Sequence, residues 1–381
     1  MLGFFLGGFM RLQQLCIRHF RNIIKADLTG LADFNFIHGL NGSGKTSALE
    51  ALHTLSVSHS FRSRKIKSVI TEDQDALLVR GALSPNNQAV ENGEDWLAVQ
   101  RSRSRGTLVK YRQERLASVG DMAGLLPVQL INPDSFALIE GSPSVRRQFL
   151  DWSVFHVKHL DFYMFWQRYR KALQQRNSLL RRGKIDKALL AAWDNEIAVV
   201  GEKIALQRQQ QFNDLAVRFE SVYSRLGGIE PSEKDYPAFN MRFNAGWDNS
   251  QISLLDSLAS SFEGDLRQGF TRHGPHRADI DFRVNGRPAA ELLSRGQIKT
   301  VVCALKIAQS QLLEAAGVTG IMLIDDLPAE LDANRRAALF AELRNMQSQV
   351  YATSIESSEL DSSWCGGKTL KRFHVERGSF F

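Results

Sequence analysis

The sequence predicts an α/β fold in which a phosphate-binding loop comes early, a helical and basic stretch fills the middle, and further strands return near the end. Three observations carry this. Gly39-Leu40-Asn41-Gly42-Ser43-Gly44-Lys45-Thr46 has the spacing G-x-x-x-x-G-K-[ST], with apolar Phe34, Phe36 and Ile37 before it and a helix opening at Ala48-Leu49-Glu50-Ala51-Leu52 after it. Trp193, Ile197, Val200 and Ile204, then Phe212, Leu215, Phe219 and Val222, recur every three or four residues, the pattern of a helix–helix seam. Ile321-Met322-Leu323-Ile324-Asp325-Asp326 is an aliphatic run ending in two carboxylates, as in a parallel-sheet strand buried on both faces.

At 381 residues the chain can bury a full core, with two or three domains expected. A formal charge of +7, from 48 Lys and Arg against 41 Asp and Glu, permits a polyanion partner. Cys16, Cys303 and Cys365 have no metal-ligand spacing and read as reduced thiols of a cytosolic protein. The apolar run Met1 to Met10 is too short for a bilayer, which needs about 20 residues. It also lacks the basic start of a signal peptide. Residues 1–9 read as an extension before Met10-Arg11-Leu12, and the protein is placed in the cytoplasm with no membrane contact.

In chain order, Leu12, Leu15 and Ile17 mark a first strand, and Phe20-Arg21-Asn22-Ile23 with Ala26-Asp27-Leu28 a second. The phosphate loop and a helix to about Ser58 follow. Arg62, Arg64, Lys65 and Lys67 form a basic cluster that is either a solvated loop or a phosphate contact. Leu77 to Val79, Trp96 to Val99 and Thr107 to Val109 are strands, with turns at Pro85-Asn86-Asn87 and Glu91-Asn92-Gly93. Arg101, Arg103, Arg105, Lys110, Arg112 and Arg115 form a second basic cluster opposed only by Glu114, suited to a sugar-phosphate backbone or to a guarded sheet edge. Val128 to Ile131 is a strand. Two antiparallel helices then join near Arg182-Gly183-Lys184, with Arg168, Arg170, Lys171, Arg176, Arg181 and Lys187 decorating the first and its turn. Residues 226–262 read as irregular. Ile280, Phe282 and Val284 alternate before the hairpin turn Asn285-Gly286. Ser294 N-caps a helix, and Val350 to Ser354 is a last core strand. The boundaries read this way are 10–125 for the first part of the nucleotide lobe, 126–265 for the helical lobe and 266–381 for the returning part.

The chemistry follows from residue types. Glycines let the loop backbone wrap a phosphate, and the helix N-terminus faces the same anion. Lys45 is expected to reach the β- and γ-phosphates of ATP and Thr46 to hold Mg²⁺. Asp325 and Asp326 end a strand where an α/β sheet places ligands. Asp325 is expected on Mg²⁺, and Asp326 to orient or deprotonate the attacking water. Ser294, Gly296 and Gln297, taken alone, are a helix start.

The order of phosphate loop, Ser-x-Gly-Gln and paired acids resembles the ABC-type ATPase heads, in which the Ser-Gly-Gln segment of one subunit completes the nucleotide site of another. Phe20-Arg21-Asn22, Ser60-Phe61-Arg62, Arg146-Arg147-Gln148-Phe149-Leu150-Asp151, Gly274-Pro275-His276-Arg277 and Leu293-Ser294-Arg295-Gly296-Gln297 sharpen this. From about Met10 to the C-terminus they resemble the RecF family of bacterial DNA replication and repair proteins. The resemblance implies a Rad50-like head with a helical second lobe and an ATP-dependent homodimer on DNA at single-strand gaps and duplex junctions. It also implies a weak DNA-dependent ATPase, a RecR partner, and help in loading RecA. Ser294 would then meet the γ-phosphate held at Lys45 of a partner subunit. Two positions depart from the family: Ala329 stands where it usually has Ser, and Ala278 where many members have Asp. The Mg²⁺-sensing glutamine of such heads is either Gln129 or replaced by Asn132. The competing readings are a scaffold using ATP as structural glue with negligible hydrolysis, another SMC/Rad50-like ATPase, a transport ATPase subunit and a small-molecule P-loop kinase. The basic helical lobe opposes the transporter, and the Ser294–Gln297 segment opposes the kinase.

Overall fold

In the computed structural model, residues 10–63, 65–85, 95–182, 185–227, 239–326, 331–359 and 361–381 are described. The extension at 1–9, the turns within 86–94, the helix–helix turn at 183–184, the segment 228–238 and Ala329 lie outside them. The chain divides into two compact units. The first comprises Met1–Ser135, Ser221–Pro231 and Lys299–Phe381, and the second Phe136–Glu220 and Ser232–Ile298. The division thus falls after 135 and after 298, against the 125 and 265 read from the sequence. Hydrogen bonding explains the first shift, because Val128–Ile131 pairs with Ile321–Ile324 in a sheet of the first unit.

The first unit holds two six-stranded sheets. In the antiparallel one the order is Ile23–Thr29, Met10–Phe20, Ala76–Pro85, Trp96–Ser102, Gly106–Tyr111 and Glu114–Arg115. The uneven spacing of Leu12, Leu15 and Ile17 has a local cause. Pairing with Ala76–Pro85 shifts register between Leu12 and Gln14, and this bulge returns all three side chains to the core. The second sheet runs Ser379–Phe380, Leu370–Glu376, Phe34–His38, Gln349–Ser354, Ile321–Ile324 and Val128–Ile131, parallel except at its terminal hairpin. Ile321–Ile324 is buried throughout, as a strand flanked on both edges and covered on both faces must be. Leu370–Glu376 escaped the sequence reading because only Phe373 and Val375 are buried in it. One apolar core joins Ile17 and Val79, Leu49, Leu52 and Leu55 of helix Lys45–Val57, and Leu323. Burying each such side chain contributes about 1.5–3 kcal/mol. Among the described residues no helix is long and apolar enough to cross a membrane.

In the second unit, helix Pro143–Leu180 pairs with helix Lys187–Gly227, up to Glu220. Ion pairs Asp151–Arg208, Arg168–Glu196 and Arg176–Asp194 set the two antiparallel, and Ile197, Val200, Ile204, Phe212 and Leu215 are buried as the seam requires. Arg176 corrects the sequence reading: it does not decorate the surface but is fully buried, bound to Asp194, Asp265 and Thr271. A buried guanidinium is tolerable only with such partners. Residues 239–262 are also not irregular. Phe239–Asn244 pairs with Asp279–Val284, and helix Leu254–Gln268 is capped by Ser253, which accepts from the Asp256 amide at 3.1 Å.

Candidate nucleotide-binding site

The first unit contains a pocket of about 610 Å³ lined by Asn41, Gly42, Gly44, Lys45, Thr46, Ser47, Arg21, Asn22, Arg62, Ser68, Ile70, Asp325, Asp326 and Thr353. Its floor is the phosphate loop, and two glycines there have no substitute. At Gly39, with φ 155, an added Cβ would lie 2.2 Å from the Val375 carbonyl oxygen. Gly44, at φ 123, caps helix Lys45–Val57 without a side chain. Lys45 is buried and its Nζ donates to the carbonyls of Gly39 and Leu40 at 2.7 and 3.1 Å, which holds the ammonium inside the loop's curve. Ser43 Oγ is buried without a hydrogen-bond partner among the described residues. An orphaned hydroxyl inside a glycine cradle at a helix N-terminus suits a phosphate oxygen.

The two acids stand where the strand predicts. Asp325 Oδ1 accepts from Thr46 Oγ1 at 3.0 Å and from Thr353 Oγ1 at 2.8 Å. Burial pushes the Asp325 carboxyl above its ordinary value against those hydrogen bonds. Asp326 follows at φ 54, and its amide donates to Thr353 Oγ1 at 2.9 Å. Thr353 therefore ties both acids to the end of Gln349–Ser354. Thr46 and Asp325 present two hard oxygens to one point, which fits Mg²⁺. Among the described residues no cluster of three or more His, Cys, Asp and Glu could hold a metal alone, so an ion here would complete its shell with phosphate oxygens and water.

Sequence reasoning left Arg62 between a solvated loop and a phosphate contact, and it assigned no contacts to Arg21, Asn22, Glu50 or Ser60. Arg21 binds the fully buried Glu50 of the loop helix through two donors, at 3.0 and 2.6 Å. Ser60 donates to the same carboxylate, and Arg62 lies 4.0 Å from it. Asn22 Nδ2 donates to the Gly42 carbonyl at 3.1 Å while its Oδ1 accepts from Ser47 at 2.9 Å. Of the first basic cluster, Arg62 thus lines the pocket, and Arg64 lies outside the described residues. The signals in the sequence were the two motifs Phe20-Arg21-Asn22 and Ser60-Phe61-Arg62 and, for Arg62, its place in the basic cluster.

Ser294, Gly296 and Gln297 belong to the second unit. There the Gln297 amide donates to Ser294 Oγ at 3.3 Å and the Ser294 amide to Gln297 Oε1 at 2.8 Å, a capping box opening helix Arg295–Ala315. Neither Gln129 nor Asn132 lines the pocket. Gln129 is buried and donates to Gln309 at 2.8 Å, and Asn132 is engaged with Ser135. Ala278 is buried and its carbonyl accepts from Arg147 at 2.8 Å. The second basic cluster is partly internal. Arg101 is half-buried and Arg112 pairs with Asp95, an acid the sequence reading left out, while Arg105, Lys110 and Arg115 are exposed.

A phosphate loop ending one parallel strand, paired acids ending another, an antiparallel sheet on the same loop helix and an inserted helical unit define a P-loop ATPase head of the ABC type. The RecF/RecN/SMC N-terminal domain family matches residues 11–377. A DNA replication and repair protein RecF of Stutzerimonas stutzeri (strain A1501) is 42% identical over 370 residues, covering 97% of this chain and 96% of that one. A solved structure of the recombination mediator protein RecF with ATP, described in the RecFOR pathway, is 25% identical with a TM-score of 0.82, covering 98% of this chain and 97% of that one. An Smc head domain of Pyrococcus furiosus, 14% identical with a TM-score of 0.57 over 97% of this chain and 95% of that one, shares the fold. The chain belongs to the RecF family of DNA replication and repair proteins.

Proposed function

We propose that this protein binds ATP with Mg²⁺ at the pocket described, dimerises with ATP on DNA at single-strand gaps and duplex junctions, and hydrolyses ATP slowly with stimulation by DNA. Working with RecR and assisting RecA loading in the cytoplasm complete the reading; family membership supports those partners. The observation that carries it is the convergence of Lys45, Thr46, Asp325 and Asp326 on one pocket from segments some 280 residues apart in sequence.

When bound, ATP with Mg²⁺ supplies the phosphoanhydride bond that is cleaved. Lys45, held inside the loop, neutralises phosphate charge, and the loop amides and Ser43 hydroxyl orient it. Thr46 and Asp325 hold the cation. Asp326, fixed through its amide by Thr353, orients water or accepts its proton. Ser294, Gly296 and Gln297 meet the γ-phosphate of a partner subunit through their helix N-terminus. DNA is held by Arg and Lys side chains without base readout, so log affinity falls with log salt at about −0.9 per phosphate neutralised.

Sizing the protein with gapped DNA in ATP, ADP and no nucleotide, beside turnover with and without DNA, tests this. A dimer specific to ATP and turnover raised by DNA are expected. Identical size and identical DNA affinity in ATP and ADP would reject the nucleotide-gated dimer. ATP-driven dimerisation without turnover would select the scaffold instead. Charge reversal at Arg101, Arg103 and Arg105, or at Arg181, Arg182 and Lys184, is expected to flatten the salt slope in at least one of the two sets.

A further inference from the structure

The end of the chain folds onto the phosphate loop. Leu370–Glu376 and Ser379–Phe380 form an antiparallel hairpin, with Val375 opposite Phe380 and Glu376 opposite Ser379. Its two turn residues, Arg377 at φ 46 and Gly378 at φ 81, are both left-handed, as a two-residue type I′ turn requires. The turn is set against the site. The Gly378 amide donates to the Ser43 carbonyl at 2.7 Å. A Cβ built at Gly378 would lie 2.2 Å from the Asn22 carbonyl oxygen. A Cβ built on Gly44 would stand 3.3 Å from Asn22 Nδ2 and 3.5 Å from the Gly378 Cα. At the other end of the loop, the Val375 carbonyl occupies the space beside Gly39. The terminal hairpin therefore stands against the phosphate loop at both of its essential glycines, and the Asn22 segment joins it at Gly44.

We propose that the C-terminal hairpin is a positioning element of the nucleotide site, with Gly378 as its key residue. The physical reason lies in the peptide group. A peptide's carbonyl and the following N–H point in opposite directions, so fixing the Ser43 carbonyl on the hairpin fixes the Gly44 amide facing the other way, into the loop. A loop whose amides are already aimed loses less freedom on binding phosphate. Only glycine fits at 378, because any side chain meets the Asn22 backbone while adopting a left-handed φ. This inference rests on the pocket's being a nucleotide site.

Gly317 provides the matched control. Its φ is +78, and a Cβ there meets nothing within 4 Å, so alanine strains the backbone similarly without touching the loop. Binding of a fluorescent ATP analogue is titrated against the unmodified protein, Gly378→Ala and Gly317→Ala. Gly378→Ala is expected to weaken binding about tenfold, the value of one well-placed hydrogen bond, and Gly317→Ala to leave it unchanged. Unchanged binding in Gly378→Ala, or an equal loss in both variants, would overturn the proposal. Amide exchange on the unmodified chain gives a second readout that needs no variant. ATP is expected to slow exchange in residues 376–381 along with the loop; slowing confined to residues 39–46 would also overturn the proposal. Absence of nucleotide binding by the unmodified protein would instead reject the site itself.

Discussion

Two helix starts in this chain were expected to face the same phosphates, and they are built in opposite ways. Helix Lys45–Val57 begins at Gly44, which has no side chain to cap it, and carries no acid in its first turn. Helix Arg295–Ala315 begins with Ser294 and Gln297 locked in a reciprocal capping box. The starts at Ser253 and Asp332 resemble the second, with a side chain accepting from an amide, whereas helix Pro143–Leu180 starts at Ser142 without a side-chain cap hydrogen bond and places a proline, which has no N–H, in its first turn. A helix start without a side-chain cap leaves its first amides to a ligand, whereas a capping box engages two of the four orphan donors within the chain. The first start is thus shaped for phosphate within its own chain. The second has two of its donors engaged within the chain, while the Ser294 hydroxyl, which accepts in the box, keeps its own proton to donate.

Four experiments break or sharpen this contrast. The largest effect is expected at Asp326→Asn, where an amide orients water but cannot take its proton. Turnover should fall about 10²- to 10⁴-fold with ATP affinity kept and the ATP dimer accumulating. Wild-type turnover would remove this acid from the chemistry.

Lys45→Ala is next. It removes the charge at the first helix start, and ATP affinity should drop about a hundredfold. Lys45→Arg should bind yet hydrolyse poorly, since the forked head does not fit a space shaped for an ammonium. Unchanged affinity in Lys45→Ala would end the phosphate-loop assignment.

Ser294→Ala removes the box at the second start and should cost about 1 kcal/mol of stability. Nucleotide binding by the isolated chain should be untouched while ATP-dependent dimerisation weakens, and Ser294→Thr should restore the cap. A loss of single-chain affinity as large as that of Lys45→Ala would make the two starts equivalent and dissolve the contrast.

The smallest effect is in pH. Desolvation lowers His53, on the first helix, from 6.5 to about 4, and Lys306, on the second, from 10.5 to about 8. In each window the unfolded chain binds a proton that the folded chain refuses. Stability therefore falls as pH drops from 6.5 to about 4 through His53, and from 10.5 to about 8 through Lys306, by at most about 1.4 kcal/mol per pH unit for each group. Melting temperature against pH should show both slopes. His53→Gln should flatten only the acid one and Lys306→Met only the alkaline one; slopes that persist in both variants would assign them to other groups.

The sequence by itself determined what depends on near neighbours. The phosphate loop was legible because its glycines and Lys45-Thr46 are contiguous. The buried strand before Asp325 was legible from four consecutive aliphatic residues, and the helical seam from a period of three to four. Ser294 was readable as a cap because its partner, Gln297, is three residues away. Tertiary structure alone decided which distant residues joined these pieces. Arg21 meets Glu50 across 29 positions, Thr46 meets Asp325 across 279, and Gly378 meets Ser43 from the last turn of the chain. Arg176 looked like a surface charge on a basic helix until Asp194 and Asp265 converged on it. A local pattern reports the backbone conformation a segment prefers. It carries no record of the partner brought beside it by folding, and pairing of that kind places Asn22, Arg62, Thr353 and the C-terminal hairpin around the site.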